Sequence, residues 1–162
     1  MAQFHYRCSN CDATYDSDQV IYECTQEGSN LDVMLDFDAI RGVHTPKSVG
    51  ANPDRSIWRY EALLPVGPPS GCSGTLRAVG GTPLFRDKNL ENNLNGAQVW
   101  VKDDTRLPTA SLKDRASAMV VAYALENRIN RIITASTGNA GVALAGMAAA
   151  AGLESVVVAP ES

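Results

Sequence analysis

The second half of the chain carries the feature that most limits its fold, short apolar runs alternating with segments of helix length. From Leu112, apolar residues recur at Ala116, Met119, Val120, Tyr123 and Ala124. That is the i, i+4, i+7, i+8 spacing of a helix with one buried face. Arg131–Ala135 reads as a strand, Ala140–Ala151 as a second helix built from small residues, and Ser155–Ala159 as another strand. Ala97–Val101 is a further short, buried strand candidate. Strands alternating with helices of this length require right-handed crossovers and a parallel sheet, so the predicted fold class is α/β. A doubly wound sheet needs helices on both faces, and the chain reaches Ser162 directly after a predicted strand. The expectation is a partial doubly wound parallel sheet, the front part of a longer protein.

Upstream the rhythm changes. Residues 1–40 hold Cys8, Cys11 and Cys24 and an alternating, strand-like run from Leu31 to Phe37. Residues 41–80 gather Pro46, Pro53, Pro65, Pro68 and Pro69 among several glycines, the chemistry of an irregular connector. A short helical island at Ile57–Leu64 interrupts it. The predicted organisation is a ribbon-like cysteine module over 1–40, a connector over 41–80 and the α/β part over 81–162.

Composition narrows the function classes. At 44% hydrophobic and 20% charged residues the chain is too apolar for a disordered one. Its 14 basic and 18 acidic side chains leave a net charge of −4 with no basic cluster, which argues against nucleic acid as a partner. Residues 1–15 have no apolar core of a signal peptide. The uncharged stretch from Ile132 to Leu153 is broken by Ser136, Thr137, Gly138 and Asn139 and is otherwise mostly Ala and Gly, too weak for a membrane span. A soluble, cytoplasmic chain without a membrane partner is expected, with its cysteines as thiols or metal ligands rather than disulfides.

Two segments carry candidate chemistry. In the run from Lys102 to Ala116, Ser111 with Asp114 three residues on forms a capping pair, which places Lys113 in a first helical turn. A cation there opposes the helix dipole, at a cost of about 0.3–1 kcal/mol relative to an acidic residue. Such broken local rules mark functional positions. The dipole, with Arg115 adjacent, would favour the neutral amine that imine formation requires. On the residues alone, a surface lysine tolerated at a helix start is the commoner case. The second segment, Ala135–Gly141, lies between a strand and a helix, where backbone N–H groups make a carboxylate or phosphate site. A plain Ser/Thr cap fits it equally.

Taken together, Gly81-Thr-Pro-Leu84, Lys102-Asp-Asp104, Pro108-Thr-Ala-Ser-Leu-Lys-Asp-Arg115 and Ser136-Thr-Gly-Asn139 resemble the opening of a fold-type II pyridoxal-phosphate enzyme. The cysteine module ahead of Gly-Thr-Pro-Leu points, within that group, to the threonine synthases. The resemblance implies that Lys113 carries pyridoxal 5'-phosphate through its amine, exchanges it with the substrate amine and then moves protons. It implies that Asn139 hydrogen-bonds the cofactor ring hydroxyl, and that Ser136, Thr137 and Gly138 hold the substrate α-carboxylate. The implied reaction converts O-phospho-L-homoserine and water to L-threonine and phosphate, in an enzyme that forms a homodimer when full length. A threonine dehydratase or another β-replacement enzyme shares the lysine and Ser-Thr-Gly-Asn motifs, although the cysteine module is superfluous in a dehydratase. A non-catalytic, ribbon-containing binding module is the alternative from a different class.

The chain departs from the family pattern at three positions of the lysine segment. Leu107, Ala110 and Leu112 stand where the family has Asn, Gly and Phe, and Ala fits the glycine position if its φ is negative. The family's phosphate-cradling Gly-rich loop and the Ser or Thr facing the pyridine nitrogen lie further along than residue 162. These 162 residues alone are therefore expected neither to hold the cofactor tightly nor to turn over. Cys8-Ser-Asn-Cys11 reads as a zinc knuckle, but where the family's ribbon has a second Cys-x-x-Cys-Gly this chain reads Cys24-Thr-Gln-Glu27-Gly28. Glu27, His5, His44 or Cys72 could complete a structural metal site. Alternatively the ribbon holds its shape with Leu31, Val33 and Leu35 packed inside and no metal. No residue is assigned to a metal from the sequence. His5 and His44 are isolated, and the pairs Asp36/Asp38 and Asp103/Asp104 read as solvated turn residues.

Overall fold

A computed structural model describes residues 4–19, 22–69 and 74–161 of the chain. Cys72, named above as a candidate metal ligand, lies outside the described residues. The chain divides into two compact units, one formed by Met1–Asp54 with Trp58–Gly67, the other by Arg55–Ile57 with Pro68–Ser162.

The first unit opens with a three-stranded antiparallel sheet of order β2-β1-β3, from β1 (Phe4–Cys8), β2 (Thr14–Asp16) and β3 (Leu31–Leu35). Tyr6 sits opposite Tyr15 on one side and Val33 on the other. Two short helices follow, each started by its own cap. Asp36 accepts the N–H of Ala39 ahead of α1 (Phe37–Val43). Thr45 and Ser48 form a reciprocal capping box, with Pro46 at the first position of α2 (Pro46–Ala51). The helical island is a kinked 3-10 segment, Ile57–Leu63, in which Trp58 is buried and Tyr60 exposed. Arg59 reaches from it to the carbonyl of Val49 at 2.6 Å.

The proposed packing of Leu31, Val33 and Leu35 inside the ribbon does not form. Val33 is 43% exposed, and the two others are half-buried. Among the described residues up to Asp54, only Cys8 and Cys24 are buried.

The second unit begins with α3 (Gly74–Arg77), followed by β4 (Leu84–Arg86), α4 (Lys88–Asn93) and β5 (Trp100–Lys102). The strand predicted at Ala97–Val101 forms differently from its expectation. It starts at Trp100, pairs antiparallel with β4 rather than joining the parallel strands, and leaves Trp100 exposed. Buried Glu91 explains this local hairpin. Its carboxylate accepts the Val99 N–H at 3.1 Å and a bidentate contact from Arg86, tying α4 across both strands.

The predicted alternation then appears in order: α5 (Lys113–Glu126), β6 (Arg131–Ala135), α6 (Asn139–Ala151) and β7 (Glu154–Val158). β6 and β7 are parallel, with Ile133 opposite Val156. The two helices meet through small side chains, and Ala118, Val121, Ala122, Ala143, Met147 and Ala148 are fully buried. A methyl group at Gly141 would lie 2.9 Å from Val157 Cγ1, so a larger residue there would push the Val157 side chain or α6 away from this close approach to β7. At Gly146 it would lie 2.8 Å from Thr109 Cγ2, which seats the loop before α5 on α6. Gly152, at φ +72°, closes α6 by donating to the carbonyls of Ala148 and Ala149. Among the described residues no helix is long and apolar enough to cross a membrane.

Candidate active site

The motifs that are separate in sequence are joined by one charged clamp in the second unit. Gly80 and Gly81 turn the chain with φ of +117° and +57°, and present Thr82 inward, where it is buried. The Thr82 hydroxyl donates to Asp104 Oδ1 at 2.7 Å and accepts from the Arg115 guanidinium at 3.1 Å. Arg115 in turn holds both carboxylate oxygens of Asp104, at 2.8 and 3.0 Å. Lys102 Nζ donates to the Thr82 carbonyl at 2.5 Å. The Arg115 guanidinium, helped by the Thr82 hydroxyl, pulls the Asp104 carboxyl down to about 2. Asp104 is thus an ion-pair partner and not the solvated turn residue predicted, whereas Asp103 caps the following 3-10 turn through the Thr105 N–H.

The clamp changes the role expected of Arg115. Its charge is spent on Asp104 and directed at Thr82, so its function is to tie α5 to the Gly-Thr-Pro-Leu turn.

Lys113 is the first residue of α5 and is exposed. Its N–H donates to the Ser111 hydroxyl at 3.2 Å, but Asp114 does not complete the predicted capping pair. The fully buried Asp114 carboxylate turns back instead, accepting the Thr109 N–H at 2.7 Å and the Thr109 hydroxyl. This fastens both ends of the short loop that presents Lys113. Between them Ala110 adopts φ +57°, so the condition for an unstrained Ala at the family's glycine position is not met.

The second segment forms the turn from β6 into α6. Ser136 Oγ accepts the N–H groups of Gly138 at 3.2 Å and Gly141 at 2.9 Å, and donates to the Gly138 carbonyl at 3.3 Å. The hydroxyl is engaged within the turn, while Thr137, Gly138 and Asn139 are exposed around it. α6 leaves the end of β6 through residues 136–138 and α5 enters β6 through residues 127–130. The starts of both helices consequently point toward the C-terminal ends of the parallel strands, where open α/β sheets bind ligands.

Comparison with known proteins decides what this arrangement belongs to. The family described as "Pyridoxal-phosphate dependent enzyme" matches residues 75–162. The chain belongs to this family. It is also 37% identical over 157 residues to a threonine synthase of Methanosarcina acetivorans, covering 97% of this chain and 37% of that protein. A threonine synthase of Methanocaldococcus jannaschii is 35% identical over 155 residues, with 96% of this chain and 37% of that protein covered. One from Halalkalibacterium halodurans is 45% identical over 111 residues, 65% of this chain and 30% of that protein. The matches thus span 30–37% of the length of these three relatives.

The residues present fit the family's cofactor as far as they go. An exposed primary amine on the first residue of α5 can meet an aldehyde, and an exposed carboxamide on the first residue of α6 can meet a ring hydroxyl. Both belong to the matched segment, as do Thr82, Asp104 and Arg115. The cysteine module precedes it.

In that module the structure gathers four residues that the sequence left unassigned. The ligand atoms of Cys8, Cys11, Cys24 and Glu27 all lie within 4.8 Å of one another. Cys8 Sγ is 3.0 Å from Glu27 Oε1, and the Cys11 and Cys24 sulfurs are 3.7 Å apart. The Tyr15 hydroxyl, 3.2 Å from Cys24 Sγ, pulls that thiol down to about 7. The Cys8 thiol and the Asn10 amide, which donates at 2.8 Å, lower the titration of Glu27. Neither His5 nor His44 belongs to this group.

Proposed function

We propose that the protein to which this chain belongs is a threonine synthase, converting O-phospho-L-homoserine and water to L-threonine and phosphate. The observation that carries the reading is the joint placement of Lys113 and Asn139 on the starts of two packed helices, within a segment fixed by the Thr82–Asp104–Arg115 clamp. Lys113 would hold pyridoxal 5'-phosphate through its amine, and Asn139 would donate to or accept from the ring hydroxyl. When bound, the cofactor supplies an electron sink for carbanion character next to the substrate amine.

The chain's own residues supply the rest. The Lys113 amine would be the group that takes and returns protons at Nζ. Thr137 and Gly138 would bind the substrate α-carboxylate at the start of α6, where the helix dipole favours an anion. Ser136 serves the same site from beneath, by holding the N–H groups of Gly138 and Gly141 in place. Asp114 and Ser111 hold the backbone of the loop from which Lys113 projects. We extend the proposal to a partial doubly wound sheet of fold type II with a ribbon ahead of it, in a cytoplasmic homodimer.

The test uses the complete gene product. Borohydride reduction in the presence of pyridoxal phosphate, followed by peptide mapping, is expected to place the pyridoxyl group on Lys113. Lys113→Ala is expected to abolish both the label and threonine formation from phosphohomoserine. Label spread over other lysines, or activity retained by Lys113→Ala, would remove the assignment. Turnover of serine or threonine but not phosphohomoserine would move the reading to a dehydratase or another β-replacement enzyme.

A further inference from the structure

The cysteine-bearing loops have the same construction, and this equivalence is visible in the backbone before any side chain is considered. In the first loop the Cys8 N–H donates to the carbonyl of Ala13, five residues on, at 2.8 Å, and Asp12 adopts φ +60°. In the second the Cys24 N–H donates to the carbonyl of Ser29, again five residues on, at 2.8 Å, and Gly28 adopts φ +71°. Each loop starts with a buried cysteine, Cys8 at 0% and Cys24 at 2% exposure. Each presents an exposed residue three positions later, Cys11 in one and Glu27 in the other. Glu27 therefore occupies the structural place that Cys11 has in its own loop.

We propose that Cys8, Cys11, Cys24 and Glu27 form a closed, four-coordinate zinc site in which a carboxylate completes a three-thiolate set. This inference is independent of the reading of Lys113. Tetrahedral zinc with bonds of about 2.3 Å to sulfur and about 2.0–2.2 Å to oxygen sets its ligand atoms about 3.5–3.8 Å apart. The Cys11–Cys24 separation of 3.7 Å already has that value. The Cys8–Glu27 contact of 3.0 Å opens by about half an ångström once a metal replaces the thiol hydrogen bond. The backbone N–H groups of Asn10 and Cys11 both point at Cys8 Sγ, at 3.4 Å, and would stabilise a thiolate there. Soft sulfur donors with one carboxylate select zinc over magnesium or calcium.

The surroundings give the site its purpose. The ribbon has no buried aliphatic side chain among its described residues, and a sheet that small needs a staple when it has no core. A metal joining the β1–β2 turn to the loop before β3 links all three strands from the inside. With four protein ligands there is no open position, so the role is structural rather than catalytic.

The experiment is metal analysis of the 162-residue chain purified under reducing conditions after growth with zinc. One equivalent of zinc per chain is expected, resistant to desalting and released when the thiols are blocked. Replacement by cobalt(II) should give the near-ultraviolet charge-transfer and visible bands of a tetrahedral thiolate site. Glu27→Gln is expected to weaken zinc binding roughly 10–100-fold or more, and Glu27→Cys to restore it, with helical circular dichroism reporting that each variant is folded. A folded, fully reduced chain that carries only trace zinc would overturn the proposal. So would unchanged zinc affinity in Glu27→Gln, because the carboxylate would then not be the fourth ligand.

Discussion

The two units of this chain hold themselves together by different means. In the second unit α5 and α6 bury a layer of Ala, Val and Met side chains, and glycines at 141 and 146 bring backbone and side chains into direct contact. In the ribbon of the first unit Cys8 and Cys24 alone are buried among the described residues up to Asp54, and each is in polar contact with a neighbour. One region depends on area removed from water, the other on the chemistry of a few sulfur and oxygen atoms. A periodicity argument therefore has something to detect in the first case and almost nothing in the second.

The largest effect that should separate the two regions is a cavity in the helical layer. Met147 is fully buried, and Met147→Ala is expected to cost about 2–5 kcal/mol in denaturant unfolding followed by helical circular dichroism. A loss below about 1 kcal/mol would mean that the layer relaxes around the gap, and that small-residue packing is not what stabilises it.

The same contrast explains what was legible in the sequence. The helix and strand order from Lys113 to Val158 follows from apolar spacing, and each boundary lies within a residue or two of its expected place. β5 departs because periodicity cannot say which strand a short apolar run will pair with, and the bond from Val99 to Glu91 decides it. Lys113 was visible as a cation at a helix start, and Ser136 through Asn139 as a strand-to-helix turn. Asp114 looked like a capping residue because its spacing from Ser111 is right, but Thr109 offers the buried carboxylate two donors instead. The Asp104–Arg115 pair spans eleven residues and its Thr82 partner thirty-three, separations that no local pattern encodes. Glu27 had one available signal, its place before Gly28 at the same distance from Cys24 that Cys11 has from Cys8.

The clamp offers a pH test confined to the second unit. Asp104 titrates at about 2 in the folded chain against 3.8 for an ordinary aspartate, so its contribution is fully present above about pH 4. As pH falls toward 2 the unfolded state takes up its proton first, and the contribution is lost. Allowing for partial exposure of both partners, the loss is about 1–2 kcal/mol. Asp104→Asn should be less stable than wild type at pH 7, and the gap should narrow by that amount near pH 2.5. An unchanging gap would remove the ion pair from the list of what fixes the lysine loop.

A smaller effect, of opposite sign, is expected at Ala110. Its φ of +57° is strained for a side chain bearing Cβ, while glycine adopts it freely. Part of the relief is offset by the greater freedom of glycine in the unfolded chain. Ala110→Gly should therefore stabilise by about 0.5–1 kcal/mol in the same unfolding experiment. Destabilisation would mean that the Ala110 methyl makes contacts worth more than its backbone strain.

The smallest expected effect tests the ribbon side of the comparison. Val33 lies in β3 opposite Tyr6 and is 43% exposed, so truncation removes a cross-strand contact but opens no cavity. Val33→Ala should change the protection of the Tyr6 and Val33 amides against hydrogen exchange by about 0.5 kcal/mol or less. The size of this number matters because of what Met147→Ala costs. If the two truncations are comparable, the ribbon has an apolar core that its exposure does not reveal, and its cysteines are not needed as a staple. If Val33→Ala is nearly silent while a change at Cys24 removes protection from all three strands, the stability of the sheet resides in the sulfur cluster. The aliphatic side chains of β3 would then be free to vary, provided they remain compatible with an extended backbone.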